Sequence, residues 1–143
     1  MWMSKRSVPI WPRPRLWRPH RWMVWMGLET RLIRGDIWSV DFGSNPEDPE
    51  QALRRPALIV SDDRLHHPNL KMVIVVPGTS TVRRVPLHVV AEPDSRNGLD
   101  EPTAFQVEQV RAVSIGRLRE RLGQLDAVSR YAIDEILRNA LSL

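Results

Sequence analysis

Arg54-Arg55-Pro56-Ala57-Leu58-Ile59-Val60-Ser61, residues 54–61, is the stretch on which the fold turns. Its apolar centre is continuous and includes β-branched residues, which is the pattern of a strand covered on both faces. Pro56 fixes its own φ and biases Arg55 away from helix, so the sequence predicts a strand over Ala57 to Ser61 with an arginine held at its rim. A second run, Met72 to Val76, has the same character and is followed by Pro77-Gly78-Thr79-Ser80-Thr81. Here Pro77-Gly78 predicts a sharp end to the strand, leaving three hydroxyls on a turn whose backbone amides suit a phosphate. Taken singly, Arg55 reads as a solvated surface arginine and Thr79 as an ordinary loop residue. Only together do they describe a place where a phosphate is gripped.

Outward from these runs the chain reads as further short strands. Asp36 to Phe42 reads as a first strand, with Arg34-Gly35 leading in. Gly43 to Arg54 is a polar loop that is long for a hairpin connection. Pro86 to Val90 reads as another strand, and Asn97-Gly98 marks a turn. Thr103 to Val107 and Gln109 to Val113 read as two short strands or one bent one. Leu118, Leu122 and Leu125 are spaced as a turn or strand lying on the core. Asp126 is placed to cap a terminal helix whose apolar face is Val128, Ala132, Ile133, Ile136, Leu137, Ala140 and Leu141. The expected class is mostly β with a C-terminal α-helix. Its short, mostly antiparallel strands in this order predict a small barrel.

The 143 residues fit one domain, and the formal charge of +4 invites a nucleic-acid partner. Most of that charge lies at one end. Residues 1–30 carry Lys5, Arg6, Arg13, Arg15, Arg18 and Arg21 against Glu29. Without them 15 basic and 16 acidic residues remain, a net charge of −1. A nucleic-acid site in residues 31–143 must therefore be a local patch. The leader also holds five of the six tryptophans and has no hydrophobic period. It reads as a disordered segment, or as sequence upstream of a true start at Met23 or Met26. The other reading is a basic aromatic arm for bases or a membrane surface. Its apolar core is too short and poorly flanked for a signal peptide, and no segment has the ~18 apolar residues of a membrane span.

There is no cysteine, which excludes thiolate catalysis and cysteine metal sites and suits a cytoplasmic protein. His66 and His67 stand beside Asp62 and Asp63, but adjacent side chains on an extended chain diverge, and no metal-ligand spacing is present. His88 falls mid-strand, the usual place for a half-buried structural histidine. No Gly-rich phosphate loop or nucleophile elbow occurs, so neither a cofactor nor a metal is expected.

Four ordered blocks give the chain a specific resemblance. Arg34 to Phe42, Glu50 to Ser61, Val76 to Ser80, and Gly98-Leu99 with Glu108-Gln109-Val110-Arg111 are similar to the MazF/PemK family of toxin endoribonucleases. The match extends over roughly Arg34 to Leu141. This implies an SH3-like barrel of the CcdB/PemK type, a homodimer, and metal-independent, sequence-specific cleavage of single-stranded RNA to 2′,3′-cyclic phosphate and 5′-hydroxyl ends. It also implies an antitoxin partner with a disordered acidic segment. The family's catalytic arginine falls on Arg55 and its threonine on Thr79. RNA contacts fall on Glu50, Ser80, Thr81, Thr103, Glu108 and Gln109. Three departures stand out. Asp48-Pro49 replaces Gly-Ser before Glu50, Gly78 replaces a bulkier residue, and Thr81 replaces an amide. Two other readings use the same barrel. A CcdB-like gyrase poison needs a C-terminal tryptophan, and this chain has none after Trp38. A non-catalytic RNA-binding module would use Arg55 and Thr79 as phosphate contacts only.

Overall fold

The computed structural model describes residues 31–43, 54–66 and 69–143. The leader and Glu50 lie outside the described residues. The strands are β1 (Asp36–Asp41), β2 (Arg54–Ile59), β3 (Met72–Thr79), β4 (His88–Ala91), β5 (Thr103–Gln106), β6 (Arg111–Ser114) and β7 (Leu118–Gln124). One helix, α1 (Ala127–Ala140), closes the fold. The strands form a seven-stranded sheet in the order β4-β5-β3-β2-β1-β7, an open path that does not close into a ring. Every pairing is antiparallel.

The long strand β3 organises the sheet. One edge pairs with β2. The other is shared end to end: β6 takes Met72 to Val75 and β5 takes Gly78 and Thr79. The expected stop at Pro77-Gly78 is therefore corrected, since both residues lie inside β3. The reason is which way the missing N–H points. Val60 N–H donates to the Ile74 carbonyl at 3.0 Å, so hydrogen-bonded pairs in the β2–β3 ladder recur at Ile74 and Val76. Pro77, one residue on, turns its nitrogen to the opposite edge, into the break between β6 and β5. Gly78 is needed because a Cβ there would stand 2.6 Å from the Thr103 methyl. Strand β2 likewise starts earlier than its apolar run, because β1 extends the ladder to Asp41 opposite Arg54.

One sheet face packs Ile37, Leu58, Val76 and Phe105 against Leu125 and Ile133. Asp126 caps α1 as its sequence predicts, its carboxylate accepting from Ser129 N–H at 2.9 Å. The buried stripe of α1 is narrower than the sequence pattern. Ile133 is fully buried and Ile136 and Leu137 pack on the core, whereas Val128 is 80% exposed. Val128 precedes Ile133 by five residues, about 140° around the helix, so it points away from the buried stripe. Among the described residues no helix is long and apolar enough to cross a membrane.

Two polar features tie the sheet together. Asp36 on β1 is 1% exposed and accepts from Arg121 of β7, Nε to Oδ2 at 3.0 Å and Nη2 to Oδ1 at 3.2 Å. Arg121→Ala leaves that buried carboxylate uncompensated. Because Arg121 is itself 44% exposed, the expected loss falls below the roughly 3–5 kcal/mol of fully buried pairs, to about 2 kcal/mol in urea unfolding. An unchanged urea midpoint would contradict this.

The second feature is a closed hydrogen-bond chain. His66 Nδ1–H donates to the Leu32 carbonyl at 3.1 Å, so Nε2 accepts the Ser61 hydroxyl at 2.7 Å. Ser61 Oγ in turn accepts from Ile74 N–H at 3.1 Å. Both side chains are buried, so the pair is a staple and not a nucleophile. Asp62, next to it in sequence, is committed to Arg64, whose guanidinium and amide hold the carboxyl at about 2. Burial pushes His66 below its ordinary value of 6.5, against the Leu32 carbonyl and the Asp63 and Asp62 charges, which favour the cation. In acid the unfolded chain then binds the proton more readily than the folded one. Stability should be level above about pH 7 and fall as the pH drops below 6.5, a slope that His66→Gln removes. Urea midpoints across that range test this, and a flat parent profile would contradict it.

Candidate nucleic-acid interface

Continuing the β2–β3 register by two residues sets Arg55 level with Thr79, on one face of the sheet. Arg55 Nη1 donates to Thr79 Oγ1 at 3.3 Å. Thr79 Oγ1 also accepts from Thr81 N–H at 3.2 Å. A hydroxyl has two acceptor lone pairs and one donor. With both lone pairs engaged, the Thr79 O–H is the group left to offer a ligand. The Thr79 side chain is held by burial, at 6% exposure, while Arg55 is half-buried. The pair is thus built on two adjacent strands, where backbone pairing fixes its geometry.

A cleft of about 330 Å³ opens beside Arg55, lined among others by Arg54, Arg55, Gly78, Ser80, Glu101 and Thr103. Its walls carry both signs of charge, since Asp100 also lines it. Ser80 and Thr81 are exposed on the turn that follows β3. Thr103 is buried and its hydroxyl donates to the Glu101 carbonyl at 3.0 Å, so that O–H is used within the loop. Glu108 and Gln109 lie apart from this group, in the short 3₁₀ helix Val107–Gln109 that joins β5 to β6. The structure therefore gathers Arg55, Ser80 and Thr103 around one cleft, sets Thr79 against Arg55 outside that lining, and leaves Glu108 and Gln109 at the far end of β5.

His88, a mid-strand histidine by sequence, stands with the second group. His88 opens β4, and its Nε2 lies 2.7 Å from Glu108 Oε1. Its side chain is 6% exposed and its Nδ1 is buried without a hydrogen-bond partner. The sequence signal was weak, since His88 and Glu108 are 20 residues apart.

Residues 33–141 match the family of PemK-like, MazF-like toxins of type II toxin–antitoxin systems. The chain is 32% identical over 116 residues to the endoribonuclease MazF9 of Mycobacterium tuberculosis, covering 78% of this chain and 98% of that protein. Among solved structures it resembles Mycobacterium tuberculosis toxin MazF-mt6, with TM-score 0.61 and 27% identity, over 76% of this chain and 97% of that one. It also shares its fold with a mycobacterial endoribonuclease solved in complex with its cognate antitoxin. There the TM-score is 0.61 at 24% identity, over 78% of this chain and 96% of that one.

Proposed function

Because the chain belongs to the PemK-like, MazF-like toxins of type II toxin–antitoxin systems, we propose that it is an endoribonuclease that cuts single-stranded RNA at the Arg55–Thr79 pair. The observation that carries this reading is the 3.3 Å contact between those side chains at the rim of adjacent strands. RNA supplies its own nucleophile. The 2′-hydroxyl attacks the adjacent phosphorus, the bond to the 5′-oxygen breaks, and the products are a 2′,3′-cyclic phosphate and a 5′-hydroxyl. The protein aligns that displacement and stabilises the charge that gathers on the non-bridging oxygens. Arg55 offers a planar fork of N–H donors to those oxygens, and Thr79 adds its O–H. A guanidinium accepts no proton, so the 2′-hydroxyl needs another base. A carboxylate has that chemistry, and we assign the role to Glu50, an RNA contact implied by the family resemblance.

On this reading the cleavage needs no metal and is sequence-specific. The cytoplasmic chain works as a homodimer and is held in check by an antitoxin whose acidic segment covers the RNA groove. The test is incubation of the purified chain with single-stranded RNA in excess chelator, followed by mapping of both new ends. Cyclic phosphate and 5′-hydroxyl ends are expected. Intact RNA, or 5′-phosphate ends, would overturn the reading.

A further inference from the structure

We infer that His88 is a positioning residue for base recognition: it locks the Glu108 carboxylate so that this side chain reads a base flanking the cut. The inference rests on the proposed ribonuclease activity. His88 pairs with Gln106 and Val90 with Ala104, while Thr79 pairs with Ala104 across the other edge of β5. Directly paired residues share a face, and so do residues two apart. His88, Val90, Ala104 and Thr79 therefore face the same side. Strand spacing and rise put His88 about 12 Å from Thr79. That is the reach of a neighbouring nucleotide, not of the scissile phosphate.

The contact has the chemistry of a brace. An ionised carboxylate only accepts, so His88 Nε2–H is the donor to Glu108 Oε1. This leaves Nδ1 as a buried acceptor without a partner, a cost that an apolar residue at this position would avoid. What the histidine supplies in return is a fixed orientation for a carboxylate that is 36% exposed. Glu108 Oε2 and the second lone pair of Oε1 stay directed outward. In single-stranded RNA the Watson–Crick edge is open to side chains. Guanine alone has two adjacent donors on that edge, N1–H and N2–H, matched to two carboxylate oxygens. Cytosine and adenine offer an amino group, and uracil only an imino N–H.

The experiment maps cleavage sites of the parent, His88→Leu, His88→Gln and Glu108→Gln on a mixed-sequence single-stranded RNA. The parent should favour guanine at one position near the cut. His88→Leu should reduce that preference by about tenfold or more. His88→Gln, which keeps a side-chain donor, should retain most of it. Glu108→Gln, at a partly exposed site that leaves the core intact, should shift the preference toward bases presenting an acceptor. A parent with no guanine preference, or a His88→Leu or Glu108→Gln variant with the parent's preference, would overturn the brace while leaving the ribonuclease reading standing. A parent that cuts no RNA would overturn both.

Discussion

Arg55→Ala should lower the rate of RNA cleavage by about 10²- to 10³-fold, the usual effect of removing one donor aimed at transition-state charge. The loss should fall on turnover and not on folding. Arg55 is half-buried at the end of β2, and its backbone pairing opposite Val40 does not depend on the side chain. Circular dichroism and urea midpoint should stay close to the parent's. Arg55→Lys keeps a charge but loses the planar fork, so it should recover only part of the rate. Thr79→Val removes the O–H and should cost less than Arg55→Ala, because a neutral donor is weaker than a charge-assisted one. Parental cleavage by Arg55→Ala would remove this residue from the site.

The largest structural effect is expected at the crossing of the Asn97 turn over β7. Gly98 has φ +66, and a Cβ there would stand 2.0 Å from the Leu122 carbonyl oxygen. From the other side, a Cβ on Gly123 would stand 2.1 Å from the Arg96 carbonyl oxygen. Both obstacles are backbone, so no side-chain rotation relieves them. The turn has little freedom to retreat. Asn97 Oδ1 accepts from Leu99 N–H at 3.0 Å, its Nδ2 donates to the Glu92 carbonyl at 2.8 Å, and Gln124 N–H donates to the Arg96 carbonyl at 2.9 Å. Gly98→Ala and Gly123→Ala should each cost about 3 kcal/mol or more, as overpacking does where neither side can yield. Gly98, Leu99, Asp100 and Glu101 line the cleft beside Arg55, so any folded variant should also lose cleavage. Urea unfolding measures the first effect, and a destabilisation under about 1 kcal/mol would contradict it.

The local elements were legible because their signals are local. The strand signal over Asp36 to Phe42, the apolar runs around Leu58 and Val75, and the Asp126 cap each correspond to an element of the structure. Asn97-Gly98 is a turn, as its residues require. What the sequence hid was set by partners far along the chain. Whether Pro77 ends a strand or continues it depends on which edge its nitrogen faces, and that is decided by Val60 and Ile74. The need for glycine at 123 comes from Arg96, on a different loop. His88 gains its meaning only when β4 folds beside β5. At the candidate site, sequence blocks singled out Arg55 and Thr79, and the ladder explains why they meet. The pose of Glu50 depends on a loop outside the described residues.

The central claim is that the RNA's own 2′-hydroxyl is the nucleophile while Arg55 and Thr79 hold the phosphate. A single substitution in the substrate tests this most directly. A short single-stranded RNA is first mapped for its main cut, then remade with 2′-deoxyribose at only the nucleotide 5′ to that cut. The account predicts that cleavage at that bond disappears while binding persists, with the deoxy RNA acting as a competitive inhibitor. Continued cutting at the deoxy position would mean that another nucleophile attacks the phosphorus, and would contradict the account.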